Sequence, residues 1–274
     1  MISMPPQVLS RENEVAAVAE ELALRHFPEG RVEPEEIALQ AGVEFCYTSF
    51  AEDIDGLLVH EEGRFTIFCN ERRVSRGSPR SRFTFCHELG HHQLEWHREA
   101  VVAGQFVARG GRPTMGLDSR LEHEADVFAA NLLMPEKTFR KQAAYGVPGL
   151  GLIRALATDF GTSLTCAAYR VLALDLLPPP CALFFWNQSG VCTGRRVSPL
   201  CRELIDRDTA TITSPPPRSV TARHSRNRIQ SGVVQALDWF PTAQAPELAG
   251  LEFKEEVMSL GAYGWVTLLM PHLE

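Results

Sequence analysis

Hydrophobic and polar positions follow two different periods along residues 11–70. Apolar side chains recur at helical spacing over residues 11–26, and "EPEEIALQAG" (33–42) predicts a shorter helix. Three runs rich in β-branched and aromatic residues follow, separated by turn signals, which is the pattern of strands. The runs are "VEFCYTSF" (43–50), "GLLVHEE" (56–62) and "RFTIFCN" (64–70), and we expect them to form a small antiparallel sheet.

Helical periodicity predominates from residue 82 to residue 174. We predict helices around "RFTFCHELGHH" (82–92), over residues 121–133 and around "EKTFRKQAAYG" (136–146). The glycine-rich segment 104–119 between the first two has the composition of a loop. Residues 150–174 show two helical patterns around "FGTS", much like a helix-turn-helix. The second pattern carries one arginine and is otherwise apolar, which favours a packing element over a DNA-reading helix.

The proline run "LPPP" (177–180) marks the clearest boundary in the chain. Beyond it the pattern changes from helical to strand-like, and we expect residues 181–274 to form a separate, mostly β or α+β domain. The predicted strands are "CALFFWN" (181–187), "GVCTGRRV" (190–197), "TATITS" (209–214), "GLEFKEEVMSL" (250–260) and "GAYGWVTLLM" (261–270).

Composition predicts a globular protein of the cytoplasm. The 274 residues are 45% hydrophobic and 22% charged, enough for a buried core without disulfide bonds. Seven cysteines, an odd number without a CxxC pair, favour a reducing compartment. The N-terminus has no basic and apolar regions of a signal peptide, and no apolar run approaches the ~18 residues of a membrane span.

Arginines cluster in two short segments although the formal net charge is −7. Such clusters are either solvated surface or contacts for nucleic-acid phosphates or for an acidic partner. The candidates in the first segment are Arg72, Arg73, Arg76, Arg80 and Arg82. Those in the second segment are Arg223, Arg226 and Arg228, preceded by Arg218.

The segment "HELGH" places candidate metal chemistry on one helix. Residues four apart share a helical face, so His87 and His91 can point ring nitrogens at one ion. Glu88 lies beside the first of them, within reach of a water on the same ion. By themselves, two histidines at this spacing are equally compatible with an ordinary helical pair.

The segment "RLEHEADVFAANLLMP" (120–135) supplies what a hydrolytic zinc site lacks. Such a site needs a third protein ligand and one open position, and Glu122 can be that ligand. Asp126, one turn later on the same face, can accept the other N–H of a ligand imidazole. Two histidines and a glutamate supported by such an aspartate form a thermolysin-like arrangement.

Together, "RFTFCHELGHH" and "LEHEADVFAANLLMP" resemble the ImmA/IrrE family of regulatory zinc peptidases, over roughly residues 10–175. The resemblance implies that His87, His91 and Glu122 bind zinc, which manganese can replace, and that Glu88 is the catalytic base of a gluzincin-like metalloendopeptidase. Asp126 stands where the family has Asn or Asp. Cys86 departs from the small or aliphatic residue that is usual there, and we expect it to be a buried structural cysteine.

The resemblance also implies an α+β organisation and a substrate. We expect a mostly helical, zincin-like metallopeptidase domain over residues 1–148, helix-turn-helix-like linking helices over 149–177, and a smaller GAF-like, β-rich sensor domain over 181–274. Family members cut a helix-turn-helix (XRE-type) transcriptional repressor after DNA damage or phage-related stress. The implied activation acts through the C-terminal domain, with single-stranded DNA as the candidate signal.

Two other functions remain open at this point. A DNA-binding regulator with a structural metal would bind duplex DNA after chelation, although a structural site needs no general base at Glu88. A partner that binds a repressor without cutting it is the second alternative. The side chain that stabilises the oxyanion also stays open among His60, His97 and Tyr145.

Overall fold

The computed structural model of the protein describes residues 6–51, 53–105, 117–205, 212–224, 229–241, 248 and 250–272. Within these ranges the chain has a mixed α+β fold with two sheets. It divides into two compact units, an N-terminal unit of residues 1–141 and 157–166 and a C-terminal unit of residues 142–156 and 167–274. The domain boundaries expected at residues 148 and 177–181 stay predictions.

In the first 174 residues the helices lie where helical patterns were predicted, except Glu95–Val102, for which no helix was predicted. Ser78 caps the helix that carries "HELGH", because its hydroxyl accepts a hydrogen bond from the Ser81 N–H at 3.1 Å, and Pro79 takes the first helical position. The bounds are α1 Pro6–His26, α2 Pro34–Gln40, α3 Pro79–Gln93, α4 Glu95–Val102, α5 Leu117–Leu133, α6 Glu136–Ala143, α7 Leu150–Phe160 and α8 Leu164–Ala173. In the part of the chain described, no helix is both long and apolar enough to cross a membrane.

The small sheet of the N-terminal unit is mixed, so the prediction of an antiparallel sheet is wrong for one of its two pairs. Its strands are β1 Glu44–Thr48, β2 Gly56–Glu61 and β3 Arg64–Asn70, in the order β1-β3-β2. The β2–β3 hairpin is antiparallel, whereas β1 runs parallel to β3. Alternation identifies the faces of a strand but carries no information about its neighbours.

Asn70 holds the connection that makes this order possible. The connection leaves β1, passes the end of β3 and enters β2 on the far side. The buried Asn70 amide donates to the carbonyl oxygens of Phe50 at 3.2 Å and Ile54 at 3.1 Å, both within this connection. These long-range contacts, which no local pattern reveals, separate β1 from β2.

The C-terminal unit contains a five-stranded antiparallel sheet. Its strands are β4 Ala182–Trp186, β5 Cys192–Val197, β6 Gln230–Gln235, β7 Glu252–Ser259 and β8 Trp265–Pro271, in the order β5-β4-β8-β7-β6. Four of them lie in segments predicted to be strands, whereas no strand was predicted at the position of β6. In the predicted strand "TATITS", residues 212–214 are not in a strand, and residues 209–211 lie outside the described residues. Two short helices lie between strands, α9 Pro199–Ile205 after β5 and α10 Ala236–Trp239 after β6.

Both faces of this sheet are covered, which explains the unbroken apolar run of β4. On one face Phe184 lies 5.0 Å from the ring of Trp239 in α10. On the other face Phe185 meets Tyr169 of α8 edge to face at 5.4 Å. Within the first of these layers, the carboxylate of Glu255 is buried and accepts four hydrogen bonds.

Candidate metal centre

A close approach of α3 to α5 positions the candidate ligands. A Cβ at Gly90 would lie 2.9 Å from the ring of Phe128 on α5, so only glycine lets the two helices come this near. The glycine lies between His87 and His91, on the stretch of α3 that carries both histidines. The α5 residue that faces them is Glu122.

His87, His91 and Glu122 converge on one point. One ligand atom from each lies within 4.8 Å of the others. His87 Nε2 is 3.1 Å from Glu122 Oε2 and 3.2 Å from His91 Nε2, and His91 Nε2 is 3.6 Å from Glu122 Oε1. Two imidazole nitrogens and one carboxylate are a donor set that zinc prefers at a site with an open position. The residues present therefore fit such an ion.

Asp126 contacts the ring nitrogen of His87 that does not face Glu122. Its Oδ1 lies 2.9 Å from His87 Nδ1, so His87 donates from Nδ1, and Nε2 is the atom left to bind a metal ion once it has lost its proton. Burial by itself would lower the pKa of His87, but hydrogen bonds with Asp126 and Glu122 and the charge of Glu88 raise it to about 10. Burial, with the nearby His87 and His97, lowers the pKa of His91 well below its usual value.

These opposite shifts predict that metal binding releases one proton. In the metal-free protein at neutral pH, His87 is charged and His91 is neutral, whereas a ligand imidazole must be neutral. Zinc affinity should therefore rise about tenfold per pH unit between roughly pH 7 and 8.5. Competition with a chelator across this range measures the slope. Asp126→Asn, which removes the main hydrogen bond that raises the pKa of His87, should flatten it, and an unchanged slope would contradict the assignment.

Glu88, the residue after His87 on α3, is fully buried. It packs against the start of β2, because a Cβ at Gly56 would lie 2.9 Å from Glu88 Oε1 and 2.6 Å from Thr84 Cγ2. The absence of a side chain at residue 56 therefore defines where the Glu88 carboxylate can sit. No pattern in the sequence singles out this glycine, since it marks only the first residue of a strand.

Gly56→Ala should displace the Glu88 carboxylate and lower the rate of peptide hydrolysis, by an effect on the order of the 10²-fold expected for a misplaced catalytic group. Zinc affinity should stay near that of the wild type, because none of the three converging residues touches Gly56 among the contacts above. Gly151→Ala is the matched control, since a Cβ there meets nothing within 4 Å and the backbone φ is not in the left-handed region. Equal rates for Gly56→Ala and wild type would show that residue 56 does not position Glu88.

Of the oxyanion candidates, His97 is unsuited in this structure. Its ring is fully buried, and its two nitrogens contact His91 Nδ1 and Glu124 Oε2, each at 2.9 Å. The ring of His60 packs against that of Phe65, with centroids 4.6 Å apart and planes tilted by 38°. Tyr145 belongs to the C-terminal unit and is 79% exposed.

Cys86 and His123 are sequence neighbours of the candidate ligands, but neither is among the converging residues. Cys86 is fully buried, and burial raises the pKa of its thiol, so it remains protonated. Its sulfur is not among the converging ligand atoms. His123 points away from the cluster, with its Nε2 2.8 Å from Glu12 Oε1 on α1.

The first arginine segment does not form one free basic surface. Arg82 is 4% exposed and pairs with Glu33 at 2.9 Å, so it is withdrawn from any phosphate. Arg73 and Arg80 both bind the buried Asp55, each at 2.7 Å. The remaining two side chains, Arg72 and Arg76, are exposed. The guanidinium of Arg76 lies 4.6 Å above the Tyr47 ring. Half-buried ion pairs thus account for most of this charge.

The second segment is only partly described. Arg223 is exposed, and Arg218 lies 3.6 Å from Asp238. Arg226 and Arg228 lie outside the described residues. Their assignment to nucleic acid or a partner stays a prediction.

Two histidines on α3 and a carboxylate from α5, with a buried glutamate beside them, are the arrangement found in metallopeptidase centres that hold one ion. Residues 38–172, about half of the chain, match the family model of Peptidase M78, described as the IrrE N-terminal-like domain. The chain therefore belongs to the ImmA/IrrE family of metallopeptidases. The match includes both helices that carry the converging residues.

A solved structure shares the fold across both units. A Mycobacterium tuberculosis transcriptional regulator is similar over 96% of this chain and 78% of its own, with a TM-score of 0.58 and 15% sequence identity. At that identity the likeness concerns the fold alone. No curated protein matches the sequence significantly.

Proposed function

We propose that the protein is a cytoplasmic regulatory peptidase that uses zinc, or manganese in its place, to cut a helix-turn-helix transcriptional repressor in response to DNA damage or phage stress. The observation that carries the proposal is the convergence of His87, His91 and Glu122 beside the buried Glu88. Membership in the ImmA/IrrE family supports regulatory proteolysis rather than digestion. The naming of the structural neighbour as a transcriptional regulator is compatible with such a role.

The catalytic roles follow from the positions of the side chains. Zinc held by His87, His91 and Glu122 would supply a Lewis acid and lower the pKa of water in the site. Glu88 then accepts a proton from the attacking water and passes it to the leaving amine. Asp126 keeps His87 in the tautomer that a ligand requires, through the contact at Nδ1. A glutamate as general base distinguishes this site from a purely structural one.

The C-terminal unit is the proposed sensor. A five-stranded antiparallel sheet with both faces covered supports a GAF-like domain over residues 181–274. Single-stranded DNA is the proposed signal, because it accumulates after DNA damage and needs only exposed cations and stacking groups for binding. Of the described candidates for such contacts, the exposed Arg223 lies in this unit, whereas the exposed Arg72 and Arg76 lie in the N-terminal unit.

Incubation of the zinc-loaded or manganese-loaded protein with the XRE-type repressor encoded beside its gene tests the proposal. We expect one specific cut, lost after chelation and accelerated by single-stranded DNA. Repressor that stays intact but bound would favour the alternative of a binding partner without peptidase activity. Sequence-specific binding of duplex DNA that survives chelation would favour a regulator with a non-catalytic metal site. Unchanged rate and binding with single-stranded DNA would contradict activation by that signal.

A further inference from the structure

The two histidines of the metal centre are supported by different groups. His87 Nδ1 meets a carboxylate directly, whereas His91 Nδ1 meets a second imidazole, Nδ1 of His97, at 2.9 Å. His97 Nε2 in turn lies 2.9 Å from Glu124 Oε2. These contacts form a hydrogen-bond chain, and its three residues, His91, His97 and Glu124, are all buried.

The break between α3 and α4 creates the contact. In one continuous helix, His97 at i+6 would point about 120° away from His91. Leu94 lies between α3 and α4 with an extended backbone (φ −79°, ψ 115°), so the two helices are not continuous. His97 therefore lies beside His91 although the two are six residues apart.

In this hydrogen-bond chain each donor and acceptor can be assigned, starting from Glu124. A carboxylate only accepts, so the hydrogen between Glu124 and His97 sits on His97 Nε2. A neutral imidazole with that hydrogen has a lone pair on Nδ1, which accepts from His91 Nδ1. The lone pair of His91 is then on Nε2, the atom that faces His87 and Glu122.

Further contacts hold Glu124, the last residue of this hydrogen-bond chain, in place. Trp96 donates from Nε1 to Glu124 Oε2 at 2.7 Å, and Arg120 Nε lies 3.5 Å from Glu124 Oε1. The guanidinium of Arg11 on α1 lies 4.0 Å above the Trp96 ring. Together with His97, Trp96 and Arg120 surround the Glu124 carboxylate with donors.

We propose that His97 and Glu124 are positioning residues, which act through hydrogen bonds to present the unprotonated Nε2 of His91 to the metal ion. Neither is among the converging ligand atoms. The sequence offered His97 only as an oxyanion candidate and did not single out Glu124. The inference rests on the proposed metal site. The family resemblance covers the ligands and Asp126, whereas this second support arises from the contacts of α4.

Three variants separate positioning from packing. In His97→Gln the amide keeps one acceptor and one donor, whereas His97→Leu keeps the volume and loses both. His123→Gln is the matched control, because His123 lies between Glu122 and Glu124 but bonds outward to Glu12. Each metal-free protein is titrated with zinc against a chromophoric chelator at one pH. We expect His97→Leu to bind about 10–100-fold more weakly, with His97→Gln much closer to wild type and the control unchanged.

A folded His97→Leu variant that binds zinc as tightly as wild type would overturn the proposal, as would equal losses in the leucine and glutamine variants. The tautomers are read independently from long-range ¹⁵N–¹H correlations of the imidazoles in metal-free wild type. We expect hydrogen on Nδ1 of His91 and on Nε2 of His97. Hydrogen on Nε2 of His91 overturns the proposal even where the leucine variant does not fold. Wild type that binds no zinc would instead contradict the proposed function, and the tautomer measurement still decides the positioning role.

Discussion

Glu88→Gln is expected to lower the rate of peptide hydrolysis by about 10²–10⁴-fold, the usual contribution of a general base. The amide keeps the volume of the buried side chain but cannot accept the proton of the attacking water. Zinc affinity should change little, because Glu88 is not among the converging ligand atoms. Rates are measured on the repressor, with bound zinc quantified in the same preparations.

Two further variants make this result specific. Glu95→Gln, the same change at an exposed residue of α4, should leave both the rate and the zinc content unchanged. Glu122→Gln should lose zinc and activity together, since it removes the charged ligand. If Glu88→Gln cuts the repressor as fast as wild type, Glu88 is not the base and the proposed mechanism is wrong.

Glu255→Leu is expected to destabilise the C-terminal unit by at least about 4 kcal/mol. The buried carboxylate accepts from the backbone N–H of Val220 at 3.0 Å and of Thr221 at 2.6 Å, from the Thr221 hydroxyl at 2.6 Å and from Trp239 Nε1 at 3.1 Å. Leucine leaves these four donors buried without an acceptor, and each such donor costs about 1–3 kcal/mol. The loss is comparable to the whole stability of many domains.

Denaturant unfolding followed by tryptophan fluorescence tests this expectation, since Trp186 and Trp239 are buried in the same unit. Glu252→Leu is the matched control on β7, where the carboxylate accepts only an exposed hydrogen bond from Gln235 among the contacts described. That variant should stay within about 0.5 kcal/mol of wild type. Glu255→Gln, which keeps one acceptor oxygen, should fall between the two. An unchanged midpoint for Glu255→Leu would show that the buried network contributes nothing to stability.

Local patterns predicted much of the architecture because they concern neighbours along the chain. Helical spacing located α1, α3, α5, α7 and α8, and runs of strand-forming residues between turn signals located seven of the eight described strands. The strand β6 carried no signal, since "QSGVVQ" (230–235) combines glycine with polar residues and lies at the edge of its sheet. The parallel pairing of β1 with β3 was missed because it depends on where the intervening connection passes.

The arginine segments show the same limit for charge. A run of arginines looks the same in sequence whether its side chains face solvent or acidic residues. Asp55 and Glu33, which pair with Arg73, Arg80 and Arg82, lie 18 to 49 residues earlier in the chain. Only the packing of α2, β2 and α3 reveals that this charge is mostly paired.

By itself the sequence predicted which residues would hold a metal, because helical spacing puts two histidines on one face and a glutamate–aspartate pair on another, and the family resemblance joins the two pairs. Tertiary structure decided that the two helices meet across Gly90, that Gly56 leaves room for Glu88, and that His97 and Glu124 support His91. These contacts join segments whose separation is set by turns and packing. Helical periodicity acts within one element, whereas the supports of a metal site come from the elements packed around it.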